Sequence, residues 1–314
     1  MNIRIEKATI DDAEILTEIQ KQAFEPLYRI YHDEGNPYLR GVDELKYQIE
    51  HGTREVYKIL ADDIICGGIT IRDKGNGEYY LNRIYISPQF QSKGIGKTAI
   101  GICEQNYPDA KRWTVDFPAD LIANRKCYEA NGYYDTGKRE IINDKLTLAF
   151  YEKAVNGIFE LSQSQFEYAK NVIRASFTTI TQQLNITEQN CPTHTAFVTT
   201  VERLQNHYNW GWLMFALFEN TKLVGYVSIS NEGNDIYELH NLSVLPEYRH
   251  KGYGRQLLDF CKSKCKYIKL SMIEKNTVLK NWYTANGFVH IGTKKFEHLP
   301  FTTGYMEWKL EEKL

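Results

Sequence analysis

Two stretches of this chain carry residue types suited to holding an anion. The first runs Pro88-Gln89-Phe90-Gln91-Ser92-Lys93-Gly94-Ile95-Gly96, and it recurs as Pro246-Glu247-Tyr248-Arg249-His250-Lys251-Gly252-Tyr253-Gly254, with the proline, the lysine and both glycines identical. Close glycines between a strand and a helix let backbone N–H groups approach a phosphate, and the helix dipole points at the same place. A second landmark follows each loop in the same order. Tyr128-Glu129-Ala130-Asn131-Gly132-Tyr133 recurs as Tyr283-Thr284-Ala285-Asn286-Gly287-Phe288. A repeat of this kind fixes domain organisation before any detailed structural reading.

The elements that must position these landmarks also repeat. In the first half, periodicity predicts strands over 4–9, 54–61, 64–72 and 79–86, helices over 11–24 and 42–51, and a glycine-opened helix over 96–106. A strand over 113–117, a helix over 123–131 that stops at Gly132, and strands over 133–142 and 146–151 complete it. The second half repeats the plan. A long helical region from Gln165 precedes strands over 213–219, 223–230 and 237–244, and a helix runs to about Cys265. A strand over 267–273, a helix over 277–285, and strands over 289–296 and 305–310 end it. Two domains are expected, 1–154 and 155–314, in keeping with 314 residues being long for one core.

Bulk properties exclude several classes. With 42% hydrophobic and 25% charged residues the composition is that of a globular protein rather than a disordered one, and a net charge of −2 offers no basic surface for nucleic acid. Neither a signal peptide nor an apolar run able to span a bilayer is present, so a cytoplasmic protein without membrane attachment is expected. The cysteines Cys66, Cys103, Cys127, Cys191, Cys261 and Cys265 form no CxxC pair, so no metal site or disulfide framework is suggested.

Three phosphate-binding readings compete at the glycine loops. A Walker A loop ending at Gly96-Lys97-Thr98 needs a glycine where Gln91 stands, and the other half continues Gly254-Arg255-Gln256. A dinucleotide fingerprint belongs near the start of a parallel βαβ unit, whereas these loops follow meandering strands. The third reading fits both halves. Gln91-Ser92-Lys93-Gly94-Ile95-Gly96 and Arg249-His250-Lys251-Gly252-Tyr253-Gly254 resemble the coenzyme A loop of the GNAT superfamily of N-acetyltransferases, and Tyr128 and Tyr283 resemble its Tyr-x-x-x-Gly-[Phe/Tyr] landmark. The resemblance covers nearly the whole chain.

That resemblance implies an α/β (α+β) fold of two GNAT-type domains, each a mostly antiparallel central sheet with splayed fourth and fifth strands flanked by helices. It implies acetyl-CoA as cofactor, its pyrophosphate on backbone N–H groups of 92–97 (Lys97 included) and 250–255 (Arg255 included). The pantetheine would pair with the splayed strand at Ile84 and Ile86, or at Leu242 and Val244. Lys93 and Lys251 either add charge near the phosphates or are solvated loop lysines. Asn276 stands seven residues before Tyr283, as an asparagine often does in the family; in the first half that position is Leu121, and the nearest asparagine is Asn124.

Acyl transfer to an amine needs a base for the amine proton and an acid for the thiolate. The resemblance makes Tyr128 and Tyr283 that acid; the alternative is two core aromatics. It makes His240, on the second half's fourth strand, the base; the alternative is a hydrogen-bonded core histidine. Asn82 holds the equivalent position in the first half, where Glu78 or Asp116 acting through water is the substitute. The C-terminal half is therefore expected to carry the principal transfer, with the N-terminal half slower or a non-catalytic acyl-CoA-binding module. Acceptor choice is expected from the region of Tyr28, Tyr31, His32, Asp33, Glu34 and Tyr38, or of Thr193, His194, Thr195, Trp210 and Trp212. A small-molecule primary amine is the expected partner, with a peptide or protein amine as alternative, and a monomer or homodimer is expected.

Overall fold

Burial along the strands explains the layering. Arg112–Pro118 alternates half-buried and buried side chains, as a strand with one face on the core must. Lys222–Asn231 is buried at every interior position, as a strand covered on both faces must be. The computed structural model describes residues 1–310. They divide into one unit from Met1 to Asn156 and a second beginning at Gly157.

In the first unit the order is β1 (Ile3–Lys7), α1 (Ala13–Tyr31), α2 (Val42–His51), β2 (Glu55–Ala61), β3 (Ile64–Gly75), β4 (Glu78–Ile86) and α3 (Ile95–Gln105), then β5 (Arg112–Pro118), α4 (Ile122–Glu129), β6 (Tyr134–Ile141) and β7 (Thr147–Ala154). The seven strands line up as β1-β2-β3-β4-β5-β7-β6, antiparallel except for the parallel β4·β5 pair. Trp113, Ile59, Ile69, Ile71, Leu81, Ile95 and Ile100 fill the core.

The second unit runs β8 (Gly157–Glu160), α5 (Phe166–Leu184), α6 (Thr195–Val198), α7 (Val201–Asn209), β9 (Leu213–Glu219), β10 (Lys222–Asn231), β11 (Ile236–Val244) and α8 (Tyr253–Lys264), then β12 (Tyr267–Ile273), α9 (Thr277–Ala285), β13 (Val289–Lys295) and β14 (Thr302–Lys309). Its strand order is β13-β14-β12-β11-β10-β9-β8, with β11·β12 the parallel pair. Leu257, Leu258 and Cys261 of α8 are fully buried. Burying each leucine contributes roughly 1.5–3 kcal/mol, enough to anchor the helix whose first turn carries the glycine loop.

Both parallel pairs open into a cleft. β4 and β5 register only over Glu78↔Arg112, Tyr79↔Trp113 and Tyr80↔Thr114, and β11 and β12 only over Ile236↔Tyr267, Tyr237↔Ile268 and Glu238↔Lys269. A β-bulge in each fourth strand increases the local twist. In the first unit the extra residue is Asn82, between the pairs Thr70↔Arg83 and Ile71↔Leu81. In the second it lies at Asn241–Leu242, between Tyr226↔Ser243 and Ser228↔His240, with Asn241 at φ 53°.

One helix is longer than its sequence pattern. The periodicity ends α1 at Phe24, before Pro26, but the helix continues through the proline to Tyr31 and stops at His32, φ 49°. Tertiary contacts hold the extra turns. The Tyr31 hydroxyl donates to Asp120 Oδ1 at 2.6 Å, and Tyr28 stacks on Tyr38 with 5.3 Å between centroids.

Candidate active site

The glycine loops are built for close approach. Gly94 and Gly252 sit at φ 77° and 85°, and Ser92 and His250 at 60° and 63°, all left-handed. The first intrahelical bonds are Thr98 N to Gly94 O at 3.1 Å and Gln256 N to Gly252 O at 3.0 Å. The amides from 92 to 97 and from 250 to 255 therefore precede the helical ladder, where an anion can accept from them. In the first unit this loop lines a cavity of about 810 Å³. Ile84, Ile86, Gln91, Ser92, Gly94, Ile95, Gly96, Lys97 and Asn124 all lie on its wall, with Phe24, Leu27, Cys127 and Tyr128.

The polar side chains at the loops have structural duties. Gln91 Nε2 donates to Ile86 O at 2.8 Å. Arg249, at the matching position, donates through Nε to Val244 O (3.4 Å), through Nη1 to Thr179 Oγ1 (3.0 Å), and through Nη2 to Ser176 O (3.0 Å) and Ser176 Oγ (3.2 Å). Both fasten the loop to the end of its own strand, and Arg249 also fastens it to α5. The Nζ of Lys93 lies 5.3 Å from the Phe90 ring centroid, and that of Lys251 4.8 Å from Tyr248. The Tyr253 hydroxyl donates to Glu219, and Arg255 pairs with Asp259 at 3.5 Å. Asn276 Oδ1 accepts from Leu279 N at 3.0 Å and so caps α9; Leu121, its counterpart, starts α4 without a side-chain cap.

A second cavity of about 360 Å³ adjoins the first, where β4 and β5 diverge. Tyr128, Asn124, Ile84, Phe24 and Leu27 line both. Tyr128 is buried against Phe117, with 5.1 Å between centroids, and burial raises its hydroxyl far above the usual tyrosine value. Of the two first-half carboxylates, Glu78 lies at the paired end of the strands, in an ion pair with Arg112 at 2.8 Å. Asp116 instead lines the second cavity, where Tyr80 donates to its Oδ1 at 2.6 Å and burial raises its carboxyl pKa. Asn82, Asp33 and Tyr31 lie on the same wall.

In the second unit Tyr283 is buried beside Trp282 and Phe288, at 5.0 and 5.4 Å between centroids, and burial raises its hydroxyl pKa. Leu242 and Val244 pack against the core of this unit, Val244 opposite Gly225. His240 stacks on Trp212, which stacks in turn on His207, at 4.1 and 3.9 Å. Burial first, and then His207, push the His240 imidazole down to about 4. Its Nε2 lies 2.9 Å from Ser230 Oγ, whose single proton goes to Glu232 Oε1 at 2.7 Å. The serine must therefore accept from Nε2–H, which leaves Nδ1 as the lone-pair nitrogen. His194 is spent elsewhere, accepting at Nδ1 from Ala196 N at 3.2 Å as the cap of α6. Trp210 is largely exposed.

Sequence reasoning did not single out Tyr80, His207, Ser230 or Glu232. Tyr80 is two residues before Asn82 on one strand, a spacing that can share a face, and this was the available signal. His207 carries no such mark, since only the stack through Trp212 brings it to His240, and Ser230 reaches His240 through the pairing of β10 with β11.

Comparison with known proteins identifies a family. A model of an acetyltransferase (GNAT) domain matches residues 31–155, and another matches 211–290. The chain is 28% identical over 111 residues to the peptidyl-lysine N-acetyltransferase YiaC of Escherichia coli, a match spanning 35% of this chain and 70% of that protein. Among solved structures, the PaiA N-acetyltransferase of Thermoplasma acidophilum in complex with coenzyme A is 23% identical, covering 49% of this chain and 98% of its own, with a TM-score of 0.42. A GNAT-family acetyltransferase from Staphylococcus aureus is 21% identical over 49% of this chain and 99% of its own, with a TM-score of 0.38.

Proposed function

Because this chain belongs to the GNAT acetyltransferases and carries two such domains, we propose that it transfers the acetyl group of acetyl-CoA to a primary amine by direct attack. In each half one tyrosine, Tyr128 or Tyr283, returns a proton to the departing thiolate. The observation that supports this reading is that Tyr128 lines two adjoining cavities of the first unit, as an acid between cofactor and acceptor would.

The residues fit coenzyme A. An apolar cleft of about 810 Å³ ends on loop amides at a helix start, which suits a long ligand with a pyrophosphate at one end. The cofactor supplies the activated acetyl thioester. The amides of 92–97 and 250–255 would hold its phosphates, Ile84 and Ile86 or Leu242 and Val244 would flank its pantetheine arm, and Asn124 and Asn276 stand at the starts of the helices that carry the tyrosines. Each hydroxyl stays protonated at neutral pH and so has a proton to give, and the same burial that weakens it as an acid also disfavours the thiolate it would protonate.

In the C-terminal half a neutral His240 accepts the amine proton at Nδ1. The N-terminal half stands beside it as a second catalytic site rather than a binding module, because a carboxylate on β5 offers what Asn82 on β4 does not. We favour a small-molecule amine. The name of YiaC supports a second reading, a lysine of a peptide or protein. A panel of small amines and lysine peptides incubated with acetyl-CoA, reading free thiol, separates them: turnover of small amines is expected, and turnover of peptides alone selects the second reading.

A further inference from the structure

Resting on the acetyl-transfer reading above, we infer that the 360 Å³ cavity of the N-terminal unit receives a compact primary alkylamine as its ammonium ion, and that Asp116 is the group that takes its proton. The cavity joins apolar walls to two carboxylates, Asp116 and Asp33, and Asp33 Oδ1 accepts from Gly35 N at 2.9 Å. Phe117, Leu146 and Leu148 face a ligand's hydrocarbon body, while the Asp116 carboxylate, fixed by Tyr80 at 2.6 Å, faces its head. The cation on the wall, Arg83, is already engaged by Glu44 at 3.0 Å and Gln20 at 3.4 Å. A carboxylate in a half-buried pocket attracts a cation more strongly than in water.

The size of this cavity favours a small ligand over a polypeptide: about 360 Å³ holds a compact amine. Gly35, Asn36 and Pro37 form part of its wall, and Gln20 Nε2 donates to Pro37 O at 2.9 Å. Tyr31, also on the wall, is held by its hydroxyl on Asp120 at 2.6 Å and by Asn143 Nδ2 on its carbonyl at 3.0 Å.

Position also suits proton transfer. Asp116 and Tyr128 both line this cavity. Burial raises the carboxyl above its ordinary 3.8, making it a stronger base than an exposed aspartate. The charged and titratable groups around it are Tyr80 on β4, Glu140 and Lys138 on β6, and Lys74 on β3, and the effect of burial exceeds that of the two lysines. The balance is complete. The alkylammonium gives one proton to Asp116, its nitrogen lone pair forms the C–N bond to the thioester carbonyl carbon, and the C–S bond breaks with its electron pair going to sulfur. Tyr128 protonates that sulfur and is restored by the second nitrogen proton, while Asp116 releases its proton to solvent.

The test uses the full chain with Tyr283→Phe silencing the other half, and propylamine, butylamine, 1,4-diaminobutane and a lysine peptide as acceptors. We expect the alkylamines to be turned over. Asp116→Asn, which can still accept from Tyr80, should lower kcat/KM for them by about 100-fold and remove the acid limb of the pH profile, with coenzyme A affinity within about twofold of the parent. Asp116→Glu should recover part of the rate with the limb restored. Full activity and an unchanged profile in Asp116→Asn, or a peptide preferred over every alkylamine, overturns the inference while acetyl transfer stands. Absence of thiol release with any acceptor overturns both.

Discussion

The imidazole of His240 lies flat on the indole of Trp212, with 4.1 Å between centroids and 14° between planes. The ring is buried, and its pKa falls from 6.5 to about 4. The sign follows from linkage. The unfolded chain takes up this proton near pH 6.5 and the folded site only near 4, so this contribution to stability is complete above 6.5 and is lost as pH falls toward 4. The His240 ring should remain neutral at pH 5.5 in a histidine NMR titration, and the denaturant midpoint of the second unit should fall between pH 7 and 4.5 with a shallower slope in His240→Gln. Titration near 6.5 would contradict the stack.

Removing only the hydroxyl tests the acids. Tyr128→Phe and Tyr283→Phe should each remove the turnover of one half and leave that of the other. The double variant should lose about 10²–10⁴-fold in kcat, with coenzyme A affinity unchanged. An active double variant would make both tyrosines packing residues.

Gly94→Val and Gly252→Val test the loops. A Cβ at either position meets nothing within 4 Å, so the cost is conformational rather than steric: a β-branched residue is forced to φ 77° or 85°. Isothermal calorimetry should show coenzyme A stoichiometry falling from two to one in either variant, with both sheets intact by circular dichroism. Retention of two sites would show that the loop tolerates another backbone path.

Arg249→Gln tests the brace. Loss of the bonds to Ser176 and Thr179 should destabilise the second unit by about 2–4 kcal/mol. Coenzyme A binding should weaken less than in Gly252→Val. The reverse order would make Arg249 a direct phosphate ligand.

Much of this site is legible in the sequence, and the rest is hidden for identifiable reasons. Gly94 and Gly252 announce themselves because left-handed backbone at a helix start favours glycine. Tyr128 and Tyr283 are visible through their repeated surroundings. Arg249 reads as the first residue of the coenzyme A loop, but its partner Ser176 is 73 residues away, and no local pattern reports a bond of that range. Asp116 sits on a strand whose alternation gives its face, yet only the divergence of β4 from β5 turns that face into a cavity wall. Continuation of α1 past Pro26 depends on Asp120, far along the chain, holding Tyr31.

The two bulges separate two sheets that are otherwise paired alike. On either side of them the halves keep equivalent registers: Gly67↔Ile86 corresponds to Gly225↔Val244, and Ile71↔Leu81 to Ile229↔Leu239. Only the extra residue has moved, from Asn82 in one copy to Asn241–Leu242 in the other. It behaves like a dislocation that can glide along a row without disturbing the lattice at its ends. His240 therefore sits in a regular rung opposite Ser228, whereas Asn82 is itself the misfit. A histidine grafted at position 82 would inherit the misfit's geometry, so the difference between the two halves lies in the backbone as well as in the side chain.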